Sequence, residues 1–198
     1  MKTILTLSLA LLNAFALLAQ TASISGKVTT NEGEFLTGVT VQLLDEDGAV
    51  VATANEVNTY RFDNLPTGET YRLKISKTGS PLNGLSTYDI VLMHRHILGT
   101  ASLDDPYQIL AGDVNGTGTL SIADIVEMKL LILAVRQNFS TGRNWGFAPA
   151  NYQFQNPGSP FGELSNISNT ISLDEDVADL NYIAYKYGDL NGTVLITE

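Results

Sequence analysis

"GDVNGTGTLSIADIV", residues 112–126, runs from carboxylate, amide, glycine and hydroxyl side chains into apolar sequence with helical spacing. Counted from Asp113 as the first of twelve positions, the side chains of Asp113, Asn115, Thr117 and Asp124 fall at one, three, five and twelve. Thr119 stands at seven, where a calcium loop offers a backbone carbonyl, and Ser121 at nine, where water often mediates. Gly118 takes position six, at which the chain turns sharply and a Cβ is a handicap. Hard Ca²⁺ wants oxygen donors in number, and this stretch supplies oxygen with nothing softer nearby. Thr117 stands where Asp or Asn is usual, and Asp124 where the longer Glu is usual. The alternative is an Asx-rich turn that caps a helix and holds no ion.

The helix behind this loop is one of two copies. "STYDIVLMHRHILG", Ser86 to Gly99, carries Ile90, Met93, Ile97 and Leu98 at helical spacing, and "SIADIVEMKLLILA", Ser121 to Ala134, repeats it. Ser86 matches Ser121, Asp89 matches Asp124 and Met93 matches Met128, always at one offset (124 − 89 = 35). An internal repeat of this kind predicts a paired-helix unit. Between the copies, "LDDPYQILAG" sets Asp105 as a cap before Pro106, which predicts a short intervening helix.

Upstream the period is two. "SISGKVTT", "GVTVQLLD", "VVATANE", "TYRFDNLP" and "TYRLKISK" are short β-branched or aromatic runs separated by turn material, and they predict a small antiparallel sandwich over 23–78. Val39, Val41 and Leu43 share one face, as do Tyr71, Leu73 and Ile75. The first 22 residues carry Lys2, an apolar run from Ile4 to Ala19 and then small residues, the pattern of a secretory signal peptide. The expected location is therefore secreted, extracellular or at the cell surface, with no membrane span after cleavage. The chain has no cysteine, so its stability must come from packing or from bound ions. A net charge of −10, from 11 Lys+Arg and 21 Asp+Glu, repels phosphate backbones and argues against nucleic acid.

Two resemblances follow from these runs. "ISGKVTTNEGEFLTGVTVQLLDEDG" with "YRFDNLPTGETYRLKIS" resembles the carboxypeptidase regulatory-like, prealbumin-type sandwich of secreted bacterial proteins, which implies a spacer or adhesion module without catalytic residues. The loop and helix copies resemble a type I dockerin over Leu82 to Thr193, in a divergent bacterial form with an "NWGF" stretch and a terminal "GDLNG". Together these imply a multidomain chain: signal peptide 1–22, antiparallel sandwich 23–78, and a mainly α calcium loop-helix (dockerin-like) domain 82–198 with an irregular aromatic-rich excursion. The dockerin resemblance implies a cohesin-like protein partner and association with polysaccharide degradation. In that family loop positions ten and eleven help to choose the partner; here they are Ile122 and Ala123 in one copy and Thr87 and Tyr88 in the other.

The first copy departs from the family, because counting back from Asp89 puts Thr78, Ser80 and Leu82 where ligands should be. "GDLNGT", Gly188 to Thr193, repeats "GDVNGT", Gly112 to Thr117, with Leu190 for Val114. The expectation is a split second site, with Asp189, Asn191 and Thr193 as its front half and Ser86 and Asp89 as its back half. The alternative is a degenerate first loop with "GDLNG" as a surface turn. With only two carboxylates in the Asp113 loop, its Kd is expected on the order of 10⁻⁴ to 10⁻³ M.

The segment from Asn138 to Asp179 reads as an ordered excursion pinned by Trp145, Phe147, Tyr152 and Phe154, and "ADLNYIAYKYGDLNG" as a returning strand or short helix. No nucleophile turn or phosphate loop is present, and His94 and His96 sit two apart on a helix, so the chain is expected not to be an enzyme. Two functional classes remain: an exported calcium-dependent interaction module, and a calcium-stabilised structural or adhesive surface protein. A carbohydrate-binding sandwich is a third reading, with Tyr60 and Tyr71 as its only aromatic candidates.

Overall fold

The computed structural model describes residues 20–164 and 170–196. The segment read as a signal peptide lies, through residue 19, outside these described residues; strand β1 begins at Thr21. Five strands occupy the sandwich stretch: β1 (Thr21–Thr30), β2 (Val39–Leu44), β3 (Val50–Val57), β4 (Thr59–Pro66) and β5 (Glu69–Lys77). Their alternation is that of half-buried strands, with Val39, Val41 and Leu43 of β2 fully buried and the residues between them partly exposed. At the β2–β3 turn, Asp45 Oδ1 accepts the Ala49 N–H at 2.7 Å while Gly48 supplies the left-handed φ of +85°.

Helices α1 (Thr87–Ile97), α2 (Pro106–Gly112) and α3 (Ile122–Ile132) follow. Each start is written in the sequence. Ser86 and Ser121 form capping boxes with Asp89 and Asp124, and Asp105 caps α2 ahead of Pro106. Helices α1 and α3 pack together, and their repeat-related Met93 and Met128 are both fully buried.

The chain then returns to strand: β6 (Trp145–Pro149), β7 (Thr170–Leu173) and β8 (Tyr182–Lys186). These complete the sandwich. One four-stranded sheet has the order β4-β1-β8-β6 and the other β3-β2-β5-β7. Strand β8 lies parallel to β1, with Val28 opposite Tyr182, and β7 pairs antiparallel with β5, with Tyr71 opposite Ile171.

The expected fold class is therefore corrected. The region after residue 82 is not a mainly α domain: its helices end at Ile132, and its last three strands belong to the two sheets of a β-rich molecule. The physical reason lies at the sheet edges: β1 pairs with β4 and β5 with β2 on one side, and their other edges are paired only by the later strands β8 and β7. The excursion is where Trp145 and Phe147 enter β6 and join the sandwich core.

Two apolar cores result. Ile24, Val28, Val39, Val41, Leu43 and Leu173 are the fully buried centre of the sandwich. Ile109, Val114, Ile125, Met128 and Leu190 centre the helical core. Strand β8 and the residue after it serve both, with Tyr182 and Ala184 in the sandwich core and Tyr185 and Tyr187 in the helical one. Among the described residues no helix is long and apolar enough to cross a membrane.

Candidate calcium centres

The loop from Asp113 to Asp124 folds on its two end carboxylates. Asp113 ends α2 and accepts the Thr117 N–H on Oδ1 at 2.9 Å and the Gly118 N–H on Oδ2 at 3.0 Å. Gly116 and Gly118 take φ of +73° and +77°, which lets the chain reverse within a few residues. Asn115 Oδ1 accepts a second bond from the Thr117 N–H at 3.0 Å, and the hydroxyls of Thr117 and Thr119 lie 3.3 Å apart. At the far end Asp124 accepts the Ser121 N–H and hydroxyl on Oδ2, each at 3.0 Å, and the Asn115 N–H on Oδ1 at 3.2 Å. Burial pushes the Asp124 carboxyl above the usual carboxylate range, and repulsion from Asp113 adds to it despite those hydrogen bonds.

The same scheme occurs a second time, on a broken chain. Asp189 accepts the Thr193 N–H on Oδ1 at 3.1 Å and the Val194 N–H on Oδ2 at 2.8 Å, the bonds that Asp113 makes to Thr117 and Gly118. Asp89 accepts the Ser86 N–H and hydroxyl on Oδ2, both at 2.7 Å, as Asp124 does from Ser121. The halves meet where the Leu190 N–H donates to Asp89 Oδ1 at 2.8 Å. Val194 stands where the first loop needs Gly118, and it needs no positive φ because the chain runs on toward the sandwich instead of reversing. Burial raises the Asp189 carboxyl, with Asp89 adding repulsion.

Asn191 turns one end of its amide toward Asp189 Oδ1 at 2.8 Å, Thr193 Oγ1 at 2.8 Å and Asp89 Oδ1 at 3.3 Å. With nitrogen at that end the amide donates to the carboxylates. With oxygen there, carboxylate and amide oxygens face one another with no proton between them, an arrangement a cation relieves.

The two front halves lie side by side, joined by the Gly188 N–H donating to the Ala111 carbonyl at 2.8 Å. All the residues anticipated for the split centre are thus brought together. Three contributors were missed. Gly84, at position seven counted back from Asp89, presents its carbonyl to Thr193 Oγ1 at 3.2 Å, and a Cβ there would lie 2.7 Å from Asp189 Oδ2. The same count from Asp89 finds it in the sequence. Lys186, 3% exposed, spends its ammonium on the Pro81 and Tyr187 carbonyls at 3.0 and 3.2 Å, and burial lowers its pKa to about 8, with Asp189 pulling the other way. Arg143 lies 4.5 Å over the Tyr187 ring, donates to the Tyr187 hydroxyl at 2.9 Å and reaches the Asp113 carbonyl at 3.4 Å. No sequence signal marks these last two.

The first centre offers oxygen donors alone: two carboxylates, an amide, hydroxyls and backbone carbonyls; the second offers the same set with the Asn191 oxygen turned inward. That donor set and a formal charge of minus two fit Ca²⁺. Asp89 and Asp124 are fully buried and Asp113 and Asp189 are 7% exposed, so the negative charge has little access to water. Among the described residues no group of three or more His, Cys, Asp or Glu gathers as a metal centre, in keeping with two carboxylates per loop. His94 Nδ1 sits 3.0 Å from the Ile90 carbonyl and His96 Nδ1 accepts the Leu103 N–H at 3.0 Å, both within the helical scaffold.

Thr87 and Tyr88 stand exposed in the first turn of α1, and Ile122 and Ala123 in that of α3. Tyr60 and Tyr71 are each 4% exposed within the sandwich core, where neither ring can stack on a sugar. No protein-family model and no curated protein matches this chain.

Proposed function

We propose that this chain is an exported, non-catalytic calcium-binding interaction module, in which a dockerin-type pair of loop-helix units is set into a β-rich fold. One observation carries the calcium reading: Asp113 and Asp189 make the same two backbone hydrogen bonds at the same two loop positions, although one loop is continuous and the other is assembled from both ends of the region. The same local cradle meets a Ser-capped carboxylate in both places, Asp124 from its own loop and Asp89 from a distant one, and this supports a shared ligand over two separate turns.

The partner reading is supported by the outer faces of the helices. Tyr88, Val91 and Leu98 of the α1 copy and Ile122, Val126 and Leu133 of the α3 copy are large apolar side chains left exposed. Val91 and Val126, and likewise Leu98 and Leu133, are repeat-related, so this part of the apolar surface is presented twice, while Tyr88 and Ile122 stand where the other copy has Ala123 and Thr87. A solvent-facing helix side is ordinarily polar, and a repeated apolar one is suited to docking. A cohesin-like or other extracellular protein is the expected partner, with polysaccharide breakdown as the setting that the resemblance implies.

Calorimetric titration of the mature protein tests the calcium reading, with two ions expected; no heat at millimolar Ca²⁺ refutes it. Affinity capture in calcium and in chelator tests the partner reading. A discrete partner retained only in calcium supports it. A large chelator-induced fall in Tm without any partner supports instead the structural or adhesive surface role.

A further inference from the structure

Residues Asp189 to Ile196 are tied to different parts of the molecule along their length. Leu190 is fully buried in the helical core, and Thr193 rests on the Gly84 carbonyl. The Asn83 side chain then grips Leu195 as a neighbouring strand would, accepting its N–H at 2.9 Å and donating to its carbonyl at 2.9 Å. Val194 and Ile196 pack on the sandwich core, and Thr37 Oγ1 donates to the Ile196 carbonyl at 2.8 Å. The segment thus crosses from one core to the other over the loop that leads into α1.

This makes the two centres unequal. The α3 loop draws every candidate ligand from residues 113–124, whereas the α1 loop is complete only while the crossing segment lies on it. Among the described residues neither Asp89 nor Asp189 has a salt-bridge partner, and the nearby Lys186 ammonium is engaged with carbonyls. Two buried carboxylates therefore meet at the joint with no ion pair to offset their repulsion.

We infer that Asp189 to Ile196 is a calcium-held latch: seated, it completes the α1 loop and fixes the first turn that carries Thr87 and Tyr88, and released, it opens the α1 half alone. The inference rests on the calcium reading above, since the ion keeps the latch seated. It gives the two docking faces different conditions. The α3 face depends on a local loop, and the α1 face on a distant segment.

Hydrogen–deuterium exchange of the mature full chain in calcium and in chelator tests it. The amides of Leu190 and Leu195 report the seating of the latch, because they donate to Asp89 and Asn83, and those of Thr193 and Val194 report its own turn, because they donate to Asp189. Chelation is expected to speed their exchange by about tenfold or more, along with that of the first turn of α1. In calcium, Asp189→Asn should do the same, while Asp113→Asn should leave the latch amides protected and loosen only the 113–124 loop. Equal protection of the latch in calcium and chelator overturns the proposal, as does release by Asp113→Asn to the same degree. The wild-type comparison stands even if a variant misfolds. Calorimetry on the same sample separates the two failures: no calcium heat removes the calcium reading itself, whereas calcium binding without a change in latch exchange removes the latch alone.

Discussion

Asp89 accepts the backbone N–H of Leu190 at 2.8 Å across 101 positions of chain, so the carboxylate that caps α1 also fixes the turn that follows β8. That bond joins the halves of the second centre, and its consequences are measurable.

Ion count comes first. Wild-type protein is expected to bind two Ca²⁺, and Asp113→Ala or Asp189→Ala one each, with Kd on the order of 10⁻⁴ to 10⁻³ M. Calorimetry with all three proteins checks this. Two ions retained in the Asp189 variant would mean that the second loop holds nothing.

The centres should differ in what they do for stability. Closing a loop costs about 0.6 kcal/mol per doubling of its length, and joining Asp89 to Asp189 rather than Asp113 to Asp124 lengthens the closed loop by roughly three doublings, or about 2 kcal/mol. Calcium should therefore raise Tm more in Asp113→Asn, which keeps the long-range centre, than in Asp189→Asn, which keeps the local one. Thermal melts with saturating calcium and with chelator measure both gains.

The pH dependence has a definite sign. Burial holds Asp124 and Asp189 above the ordinary carboxylate range. A carboxyl that binds its proton more tightly folded than unfolded favours folding below its unfolded pKa, and that contribution is lost as pH rises through the folded pKa. In chelator these two groups should thus weaken the fold from acid toward neutral, while calcium, which needs the ionised forms, restores it. The gap in Tm between calcium and chelator should widen as pH rises through the carboxylate range and then level off. Glu163, lowered by the Gln155 N–H, and Asp176, lowered by the Ser23 N–H, act with the opposite sign in both solutions and cancel in the difference.

Gly84 can be tested against Gly33. Both have a left-handed φ, +80° and +86°, but a Cβ on Gly33 meets nothing within 4 Å, whereas one on Gly84 meets Asp189 Oδ2 at 2.7 Å. Gly33→Ala should cost only the backbone strain, about 1–2 kcal/mol. Gly84→Ala should cost more and also weaken calcium binding at the second centre by about tenfold, the equivalent of 1.4 kcal/mol. Equal effects of the two on calorimetry and Tm would remove Gly84 from the site.

Ile122→Glu and Leu133→Glu place charge on the outer face of the α3 unit, at positions 67% and 70% exposed. Stability should change by no more than about 0.5 kcal/mol. A calcium-dependent partner, if it docks there, should be lost from affinity capture while the calcium stoichiometry stays at wild type.

Legibility in the sequence followed the range of the interactions. Helix starts were plain because Ser86 and Asp89, or Ser121 and Asp124, act within one turn, and the first five strands because their alternation and turns are local. The expectation of a mainly α second domain failed at β6, β7 and β8, which are short and take their meaning from partners far away, as Tyr182 does from Val28 and Ile171 from Tyr71. No periodicity in "YIAYK" says which sheet it joins. Within the centres, the carboxylates announced themselves by spacing, while Lys186 and Arg143 reach the loops only through folding of the later chain.

Strand β8 sends Tyr182 and Ala184 into one interior and leads Tyr185 and Tyr187 into the other. Neither half could be transplanted into another protein by gene fusion without taking this strand along and leaving the donor with an open sheet. Any shuffling of the helical unit would have to move the whole block from β1 onward, so the inherited piece is larger than either of its motifs.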